Sequence, residues 1–529
     1  MTTGIIIAHR SEAVGHDGFA QLLRAEWTKF RTVRGWVIAL GAAALVIVLL
    51  SFVSASGSRF SFCPTGPSSC TSRHPAVPTG PGGEPVTDSF MSVHQPLVGN
   101  GAVTVRVTSL SGAHTSGSPV GGGPNGTLRA TSQPVLAPWA KAGIIVERDT
   151  SQGAAYAAVM VTGAHGVRMQ YDYTHDAPGL PGAVAVSSPR WLRLTRIGDI
   201  ITGYDSTDGS HWSDIGTAQL RGLPSTVQIG LLVASPAYFP SGSNNGYPSM
   251  ATASFDEISV RGDLPTNSWT GEAIGANAFY PVLPTASSWH RLSRNAFTIT
   301  GSGDIAPRVG GSIFNGDIGG SILVGAIPGL IVLIVVATLF VTSEYRRGLI
   351  RITLTASPRR GRVLAAKAIV IGSVAFAAGL VGTALAEVIA HHVLITNGNY
   401  LLPVSGPTEA RVIVGTALLL AVAAVLALAL GTAFRRSAAA VVTGIVLLVL
   451  PFILVYTLPA GDSNWLMRLT PTAAFSVQGT QPSSPLVANA YTVTNGYYPL
   501  EPWAGLAVLC GYAAIALGAA TWLLRRRDV

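Results

Sequence analysis

The chain alternates between long apolar runs and polar connections. The most informative run extends from Ile318 to Ser343, carries no ionisable side chain, and stops at Glu344-Tyr345-Arg346-Arg347-Gly348. A helix of that length crosses a bilayer core of about 30 Å, and basic residues typically flank the cytoplasmic end of a span. Five further runs share this pattern. The sequence therefore predicts six transmembrane helices, at about residues 36–56, 318–343, 364–390, 411–434, 437–459 and 502–524.

A block of different composition separates the first two predicted spans. Residues 57–317 are rich in Gly, Ser, Thr, Pro and β-branched side chains. Apolar and polar residues alternate over 103–108 and 191–197, whereas 226–233 has the continuous apolar pattern of a more buried strand. The fold class predicted is thus membrane α-helical, with an all-β sandwich inserted between helices 1 and 2.

The basic residues predict the orientation of the spans. Half of the 34 Lys and Arg residues fall in residues 1–35, 344–367, 435–436 and 525–527, which are alternate connections. The opposite short loops hold only Arg411 and Arg468. The positive-inside rule therefore places both termini in the cytoplasm and residues 57–317 outside the cell, in a multi-pass plasma-membrane protein. The formal charge of +9 is explained by this topology, which argues against a nucleic-acid partner.

The segment before the first span mixes aromatic and cationic residues. Within residues 1–35, Trp27 lies among Arg24, Lys29 and Arg31. This mixture predicts an amphipathic interfacial helix, with aromatic side chains toward the membrane and cations toward anionic lipid.

Two cysteines lie just past the first span, in a Pro- and Gly-rich stretch. Cys63 and Cys70 can close a small disulfide loop in an oxidising compartment, and two free thiols are the alternative. No further Cys or paired His accompanies them at ligand spacing, so no metal site is predicted.

One acid interrupts an apolar run. Glu387 is a candidate intramembrane polar site, because ionisable groups at membrane depth are costly and often functional. The competing interpretation is a hydrated or helix-paired residue near the outer end of the third span.

The longest predicted cytosolic connection is residues 344–363. It is strongly basic yet carries Leu349, Ile350 and Ile352, which suits an amphipathic helix lying against another surface. A solvated positive-inside loop is the alternative.

This connection also carries a family resemblance. Together with Arg24-Ala-Glu-Trp-Thr-Lys-Phe-Arg-Thr and the Leu-Leu-Arg-Arg-Arg-Asp ending, it resembles the permeases of ABC-2 type transporters, especially actinobacterial (high-GC Gram-positive) ones. The resemblance covers residues 19–56 and 318–529. It implies a six-span export subunit that pairs with a second permease copy, identical or different, and whose connection after the second span meets a cytosolic ABC ATPase. The implied ATPase-coupling residues are Glu344, Tyr345, Arg346, Arg347, Arg351, Arg359 and Arg360.

ATP hydrolysis is expected in that partner. A P-loop requires Gly-Lys-Ser or Gly-Lys-Thr, but the three lysines Lys29, Lys141 and Lys367 follow Thr or Ala. The chain is therefore predicted to be no enzyme and to bind no cofactor, with ATP and Mg²⁺ used by the separate ATPase.

The outer block contains Trp139-Ala-Lys-Ala-Gly-Ile-Ile-Val, Arg190-Trp-Leu-Arg-Leu-Thr-Arg and Phe255-Asp-Glu-Ile-Ser-Val. With these segments it resembles concanavalin A-like (laminin-G-like) sandwich domains over about residues 86–262. The resemblance implies a jelly roll with an accessory or ligand-binding role, for which a cell-surface glycan is a candidate ligand. Asp208 in the Ser206–Trp212 element is expected to satisfy turn amides, while exposed Trp and Tyr side chains stacking on sugars are the alternative. Asp256 and Glu257 are adjacent and so point to opposite faces, which argues against a glycosidase.

Two functions from different classes remain. The first is the permease subunit of an ATP-driven exporter. The second is a membrane-anchored surface receptor or carbohydrate-binding protein without transport activity. Six spans exceed what a tether requires, so the sequence favours the permease.

Overall fold

The computed structural model describes residues 18–59, 76–116, 131–239, 247–266, 268–275, 287–308, 317–318, 322–349, 359–457, 464–480, 484, 486–487 and 497–526. Its helical part consists of α1 (Phe19–Thr32), α2 (Arg34–Gly57), α3 (Ala326–Arg346), α4 (Arg360–Thr396), α5 (Gly406–Phe434), α6 (Ser437–Leu448), α7 (Leu450–Thr457), α8 (Leu466–Leu469), a 3₁₀ helix (Pro471–Gln478) and α9 (Pro502–Arg526).

Within these ranges, six helical segments are long and apolar enough to cross a membrane: α2, α3, α4, α5, Ser437–Val455 and α9. The predicted number of spans is confirmed. Helix α5 is central and packs against α3, α4 and α9. Its contacts use small residues, since Gly379 of α4 faces Ala417 and Gly431 faces Thr338 of α3. Close backbone approach of this kind holds membrane helices together where no hydrophobic driving force acts between them.

Helix α3 begins later than the sequence predicts, at Ala326 rather than at residue 318. The physical reason is a close contact at Gly325, where a Cβ atom would lie 2.1 Å from the carbonyl oxygen of Ile47. The Gly325 N–H donates to the Ser51 hydroxyl of α2 at 3.2 Å. The start of α3 is therefore fixed by packing on α2.

The fifth span is interrupted between α6 and α7. Pro451 has no N–H to donate to the carbonyl oxygen of Leu447, so the helical ladder is broken there. The hydroxyl of Thr472, in the 3₁₀ helix, lies 3.4 Å from the carbonyl oxygens of both Leu447 and Leu448. A short helix in the α7–α9 connection thus supplies a donor to the carbonyl oxygen that the proline leaves without one.

The strands occupy the sequence between α2 and α3, apart from one in the α4–α5 connection. They are β1 (Val86–Asp88), β2 (Phe90–Ser116), β3 (Thr131–Gln133), β4 (Lys141–Glu147), β5 (Tyr156–Thr162), β6 (Val167–Tyr171), β7 (His175–Pro178), β8 (Arg190–Ile197), β9 (Ile200–Ser206), β10 (Ser213–Gln219), β11 (Thr226–Ala234), β12 (Ser249–Asp263), β13 (Thr270–Ile274), β14 (Ser288–Ser293), β15 (Ala296–Gly301), β16 (Ile305–Pro307), β17 (Asp317–Ile318) and β18 (Tyr400–Leu401).

Strands β1–β16 form a large antiparallel sandwich, which we call the β domain (residues 76–308), and β17 and β18 form a separate parallel pair. Its main path runs β10-β9-β8-β2-β11-β4-β5-β6-β7, and β2 is long enough to pair also with β12 and β13. Burial alternates along β8, and β11 is almost continuously buried, as predicted. Neighbours Leu231 and Leu232 point to opposite faces and belong to two separate cores. The second core also contains Phe90 and Tyr156 and is covered by the β1–β16 pair.

The β domain contacts one end of the helical bundle. Trp139 and Ala306 pack against Leu486 of the connection that precedes α9. The guanidinium of Arg308 lies 6.0 Å from the ring centroid of Tyr400, in the α4–α5 connection. We call this the sandwich end of the bundle. The opposite end, which carries α1, the last turn of α3 and the first turn of α4, is called the basic end.

Candidate coupling site at the basic end of the bundle

Helix α1 is held against the bundle by aromatic contacts. It is separated from α2 by Val33, whose backbone is extended. Phe30 is buried and meets the ring of Phe340 in α3 edge-on at 5.8 Å, and Trp36 meets the same ring at 6.1 Å. Trp27 remains 45% exposed, as an interfacial side chain would be. The aromatic residues of this segment are therefore divided between protein and membrane, whereas the sequence suggested a single lipid-facing set.

A buried cluster of four charges joins α1, α3 and α4. The ammonium group of Lys367 lies 2.7 Å from Glu26 Oε2 and 2.6 Å from Glu344 Oε1. Lys29 lies 2.8 Å from Glu26 Oε1 and 3.5 Å from Glu344 Oε1. Two cations balance two anions, so the set is formally neutral. We call Glu26, Lys29, Glu344 and Lys367 the charge cluster.

Lys367 is the centre of this cluster. It is 1% exposed, Glu26 is 0% exposed, and the ammonium also lies 5.2 Å from the ring centroid of Phe340. A buried ion pair holds a fixed geometry because removing one partner leaves an uncompensated charge, at a typical cost of about 3–5 kcal/mol. The three helices are thus constrained to move together at this point.

Lys29 lies at the periphery of the cluster. Burial alone would lower the pKa of its ammonium, but the hydrogen bond to Glu26 and the nearby Glu344 carboxylate raise that pKa above its ordinary value. Lys29 therefore stays charged and bridges the two carboxylates from the outside.

The Glu-Tyr-Arg-Arg-Gly sequence divides its side chains between two directions. Glu344 is buried in the charge cluster, and Tyr345 lies beneath the guanidinium of Arg435 at 5.4 Å. Arg346 and Arg347 are exposed. Gly348 has a φ of 67°, and its N–H donates to the carbonyl oxygen of Tyr345, which ends α3. The inward-facing pair, Glu344 and Tyr345, is therefore followed directly by the exposed pair, Arg346 and Arg347, at the end of α3.

The rest of the predicted coupling segment begins again at α4. Arg359 is exposed at its N-cap, and Arg360 donates to the carbonyl oxygen of Leu524 at the end of α9. Arg351 and the apolar residues Ile350 and Ile352 lie outside the described residues, so the amphipathic helix expected there stays a prediction.

The remaining predicted sites lie elsewhere. Cys63 and Cys70 are outside the described residues. Glu387 is half-buried on α4, about 30 Å along the helix from Lys367 at 1.5 Å per residue, and Glu409 on α5 is close enough to interact with it electrostatically. The candidate intramembrane acid is thus not part of the charge cluster.

The Ser206–Trp212 element of the β domain is a self-contained turn. Asp208 accepts hydrogen bonds from the backbone N–H groups of Ser210 and His211, each at 2.8 Å. The hydrogen bond from the His211 side chain, with those backbone donors, lowers the pKa of Asp208 far below its usual range. Arg193 lies 3.8 Å from the ring centroid of Trp212 and covers one face of the indole. Asp208 therefore has the structural role expected of it.

Sequence reasoning missed Glu26 and Lys367 as site residues. Glu26 and Lys367 are 341 positions apart, and only the packing of α1 on α4 brings them together. One signal was present, because the chain has only three lysines among its 34 basic residues. Each of the three contacts a carboxylate, with Lys141 lying 2.6 Å from Asp304.

Known proteins provide an independent comparison. A family model described as "ABC-2 family transporter protein" matches residues 172–529. No curated protein matches the chain. Solved structures include a functionally unknown protein from Saccharomyces cerevisiae, 16% identical over 32% of this chain and 74% of that chain, with a TM-score of 0.21. Scytalido-glutamic peptidase with a transition state analog inhibitor is 6% identical over 40% of this chain and 98% of that chain, with a TM-score of 0.25.

Likenesses with TM-scores this low support no conclusion about the chain. The family match, by contrast, covers more than half of the sequence and all but the first of the membrane helices. The chain belongs to the ABC-2 transporter family and is a multi-pass membrane permease component of an ABC transporter.

Proposed function

We propose that this permease is the membrane subunit of an exporter driven by a separate cytosolic ATPase, with its basic end in the cytoplasm. The observation that carries the proposal is the position of the charge cluster directly behind the exposed pair Arg346 and Arg347. A force applied to the exposed pair would reach a buried, geometrically fixed set of contacts two residues away, at Glu344.

The exposed half would receive the ATPase. Arg346 and Arg347 carry positive charge at the end of α3, and residues 344–363 link the second and third spans. An acidic groove on the ATPase would be attracted to this surface, and guanidinium groups form paired hydrogen bonds with carboxylates. ATP and Mg²⁺ would bind to the partner.

The buried half would distribute the movement. Glu344 belongs to α3, Lys367 to α4, and Glu26 to α1, which continues into α2 after Val33. Displacement of α3 relative to α4 without displacement of α1 would separate buried opposite charges, which is costly. Closure of the ATPase would therefore shift three elements as a unit and open the bundle toward its other end.

The β domain would have an accessory role outside the cell. Trp139, Ala306 and Leu486 form a small buried apolar cluster between the domain and the α7–α9 connection. This contact supports a position of the domain over the outer openings of the spans, where it would restrict or select what passes. A glycan ligand and a dimer with a second permease copy remain part of this proposal.

The test uses the intact chain, purified from its own membranes with a terminal tag. We expect a protein with a P-loop to co-purify and its ATPase rate in proteoliposomes to depend on the permease. Arg346→Glu with Arg347→Glu should abolish that association while membrane insertion is unchanged.

The matched control reverses two other exposed arginines at the same end, Arg24→Glu with Arg31→Glu on α1. This variant has the same change in net charge and should retain the ATPase. If the Arg346 and Arg347 variant binds the ATPase as well as wild type does, the proposed docking surface is wrong.

A further inference from the structure

A second basic site lies beside the charge cluster, between the first turn of α4 and the last turn of α9. A cavity of about 580 Å³ is lined by Arg359, Arg360, Gly361, Arg362 and Arg525. Among the described residues, Arg359, Arg362 and Arg525 form no ion pair with a carboxylate. Several positive charges thus surround one space, and no acidic side chain is among the described residues that line it.

The local backbone adds to this positive potential. The first turn of α4 has no side-chain cap and no acidic residue, so the positive end of the helix dipole is not offset by an acid of that turn. A Cβ atom at Gly361 would lie 4.0 Å from Arg525 Nη2, which places that guanidinium over the turn. Arg360 donates to the carbonyl oxygen of Leu524, which fixes the two helix ends relative to each other.

Guanidinium groups at the N-terminal end of a helix favour a phosphate. Arginine binds phosphate oxygens through paired hydrogen bonds, and helix N-termini bind anions. An anion would also relieve the repulsion between like charges that the cavity now holds. The chemistry of the site is therefore that of a phosphate group.

The surroundings favour a phosphate that carries acyl chains. Arg362 and Ile369 are two turns apart on one face of α4, and Ile369 is 46% exposed. On α9, Ile515 and Trp522 share a face in the same way and are 73% and 52% exposed. Both apolar faces lead away from the cavity along the spans, where acyl chains would run.

Trp522 also marks the level of the membrane surface. The guanidinium of Arg526 lies 4.4 Å from the centroid of its ring, next to the cavity. Tryptophan is enriched at the boundary between acyl chains and headgroups. The cavity is therefore at headgroup depth.

We propose that this cavity binds the phosphate headgroup of an anionic phospholipid in the leaflet at the basic end of the bundle. Arg359, Arg362 and Arg525 contact the phosphate, and the apolar faces of α4 and α9 contact the acyl chains. Arg359 also belongs to the coupling segment that the family resemblance implies, so the cavity variant is tested for ATPase binding as well as for lipid binding.

The test measures lipid retained by the delipidated full chain in detergent, by native mass spectrometry. The probes are phosphatidylglycerol and phosphatidylcholine with identical acyl chains. Wild type should bind one phosphatidylglycerol more tightly than phosphatidylcholine. Arg359→Gln with Arg362→Gln and Arg525→Gln should weaken phosphatidylglycerol binding by roughly a hundredfold, since each basic residue near an anionic surface contributes about fivefold.

A control variant removes the same number of charges outside the cavity: Arg346→Gln with Arg347→Gln and Arg436→Gln. It should change the affinity less than about threefold. The cavity variant removes three charges at once, so a milder variant is also needed. Arg525→Gln alone should lower the affinity for phosphatidylglycerol roughly fivefold.

Four results would overturn the proposal. They are equal binding of phosphatidylcholine, equal loss in the control variant, displacement of the lipid by millimolar inorganic phosphate, and retention of lipid with loss of the ATPase in the cavity variant. The third would show a site for a free anion, and the fourth a protein-docking surface.

Discussion

Lys367 illustrates how single residues decide the properties of this bundle. Its ammonium is buried between two carboxylates that come from different helices. Arginine is used almost everywhere else in the chain, but a compact ammonium fits between two carboxylates and a phenyl ring where a planar guanidinium would not. The residue is therefore a specific requirement of the α1–α3–α4 junction.

The first prediction concerns the cost of breaking this junction. Lys367→Met should lower the free energy of unfolding by about 3–5 kcal/mol, because Glu26 and Glu344 would remain buried with less compensation. Removing the three buried charges together, with Glu26→Gln, Glu344→Gln and Lys367→Met, should restore much of that loss. Thermal unfolding in detergent measures both. A triple variant less stable than the single one would show that the charges are not coupled.

The second prediction concerns Asp88 in the β domain. Asp88 Oδ2 accepts hydrogen bonds from Gly153 N–H at 2.8 Å and Tyr173 OH at 2.7 Å, yet burial raises the pKa of Asp88 to about 6. Burial likewise raises the pKa of Glu147. A raised carboxyl pKa means that the folded domain binds more protons, so the contribution of Asp88 to stability is greatest below pH 4 and is lost as the pH rises through 6.

The expected loss from Asp88 is about 3 kcal/mol, at about 1.4 kcal/mol for each unit of pKa. Hydrogen exchange of β1 and β2 amides in the intact chain, corrected for intrinsic rates, should show decreasing protection between pH 4 and pH 7. Asp88→Asn should flatten this dependence. Unchanged protection across that range in wild type would rule out a buried, protonated Asp88.

At the scale of elements, the last span depends on a close crossing with the 3₁₀ helix. A Cβ atom at Gly505 of α9 would lie 2.2 Å from the carbonyl oxygen of Ala473. A Cβ atom at Gly511, further along α9, would have no neighbouring atom within 4 Å. Substitutions at these two glycines therefore distinguish the effect of packing from the effect of helix propensity.

The third prediction uses this pair. Gly505→Ala should destabilise the protein and displace α9 from the 3₁₀ helix, because a backbone atom cannot move aside as a flexible side chain can. Gly511→Ala should be neutral or stabilising by up to about 1 kcal/mol, since alanine is the better helix former. Thermal unfolding measures the stability of both variants. Equal changes in stability would contradict the close crossing of α9 and the 3₁₀ helix.

These elements also show what sequence could and could not predict. The six spans were predictable because a run without charges is sufficient to identify each of them. The start of α3 was not, because it depends on the contact of Gly325 with the backbone of α2. Glu26 and Lys367 were missed for the same reason, since no local pattern records a partner on another helix. The Asp208 turn was predictable because its donors lie within three residues of it.

At the scale of the whole molecule, the two ends of the bundle have different partners. The sandwich end meets a folded domain through Trp139 and Leu486, whereas the basic end exposes arginines. This asymmetry is what a positive-inside orientation requires.

The fourth prediction tests that orientation. In a background with Cys63, Cys70 and Cys510 replaced by Ser, a cysteine introduced by Ser210→Cys should react with a membrane-impermeant maleimide in intact cells. One introduced by Arg347→Cys should react only after the cells are lysed. The reverse pattern would invert the proposed topology.

The central claim is that the charge cluster carries movement from the ATPase to the spans, separately from docking. The most direct measurement is ATP hydrolysis and transport by the reconstituted complex containing Glu26→Gln, Glu344→Gln and Lys367→Met, with Arg346 and Arg347 intact. We expect this variant to bind the ATPase normally but to lose permease-dependent stimulation by about tenfold or more, within the usual range of coupling energies. Stimulation equal to wild type in a stably folded, ATPase-bound variant would contradict it.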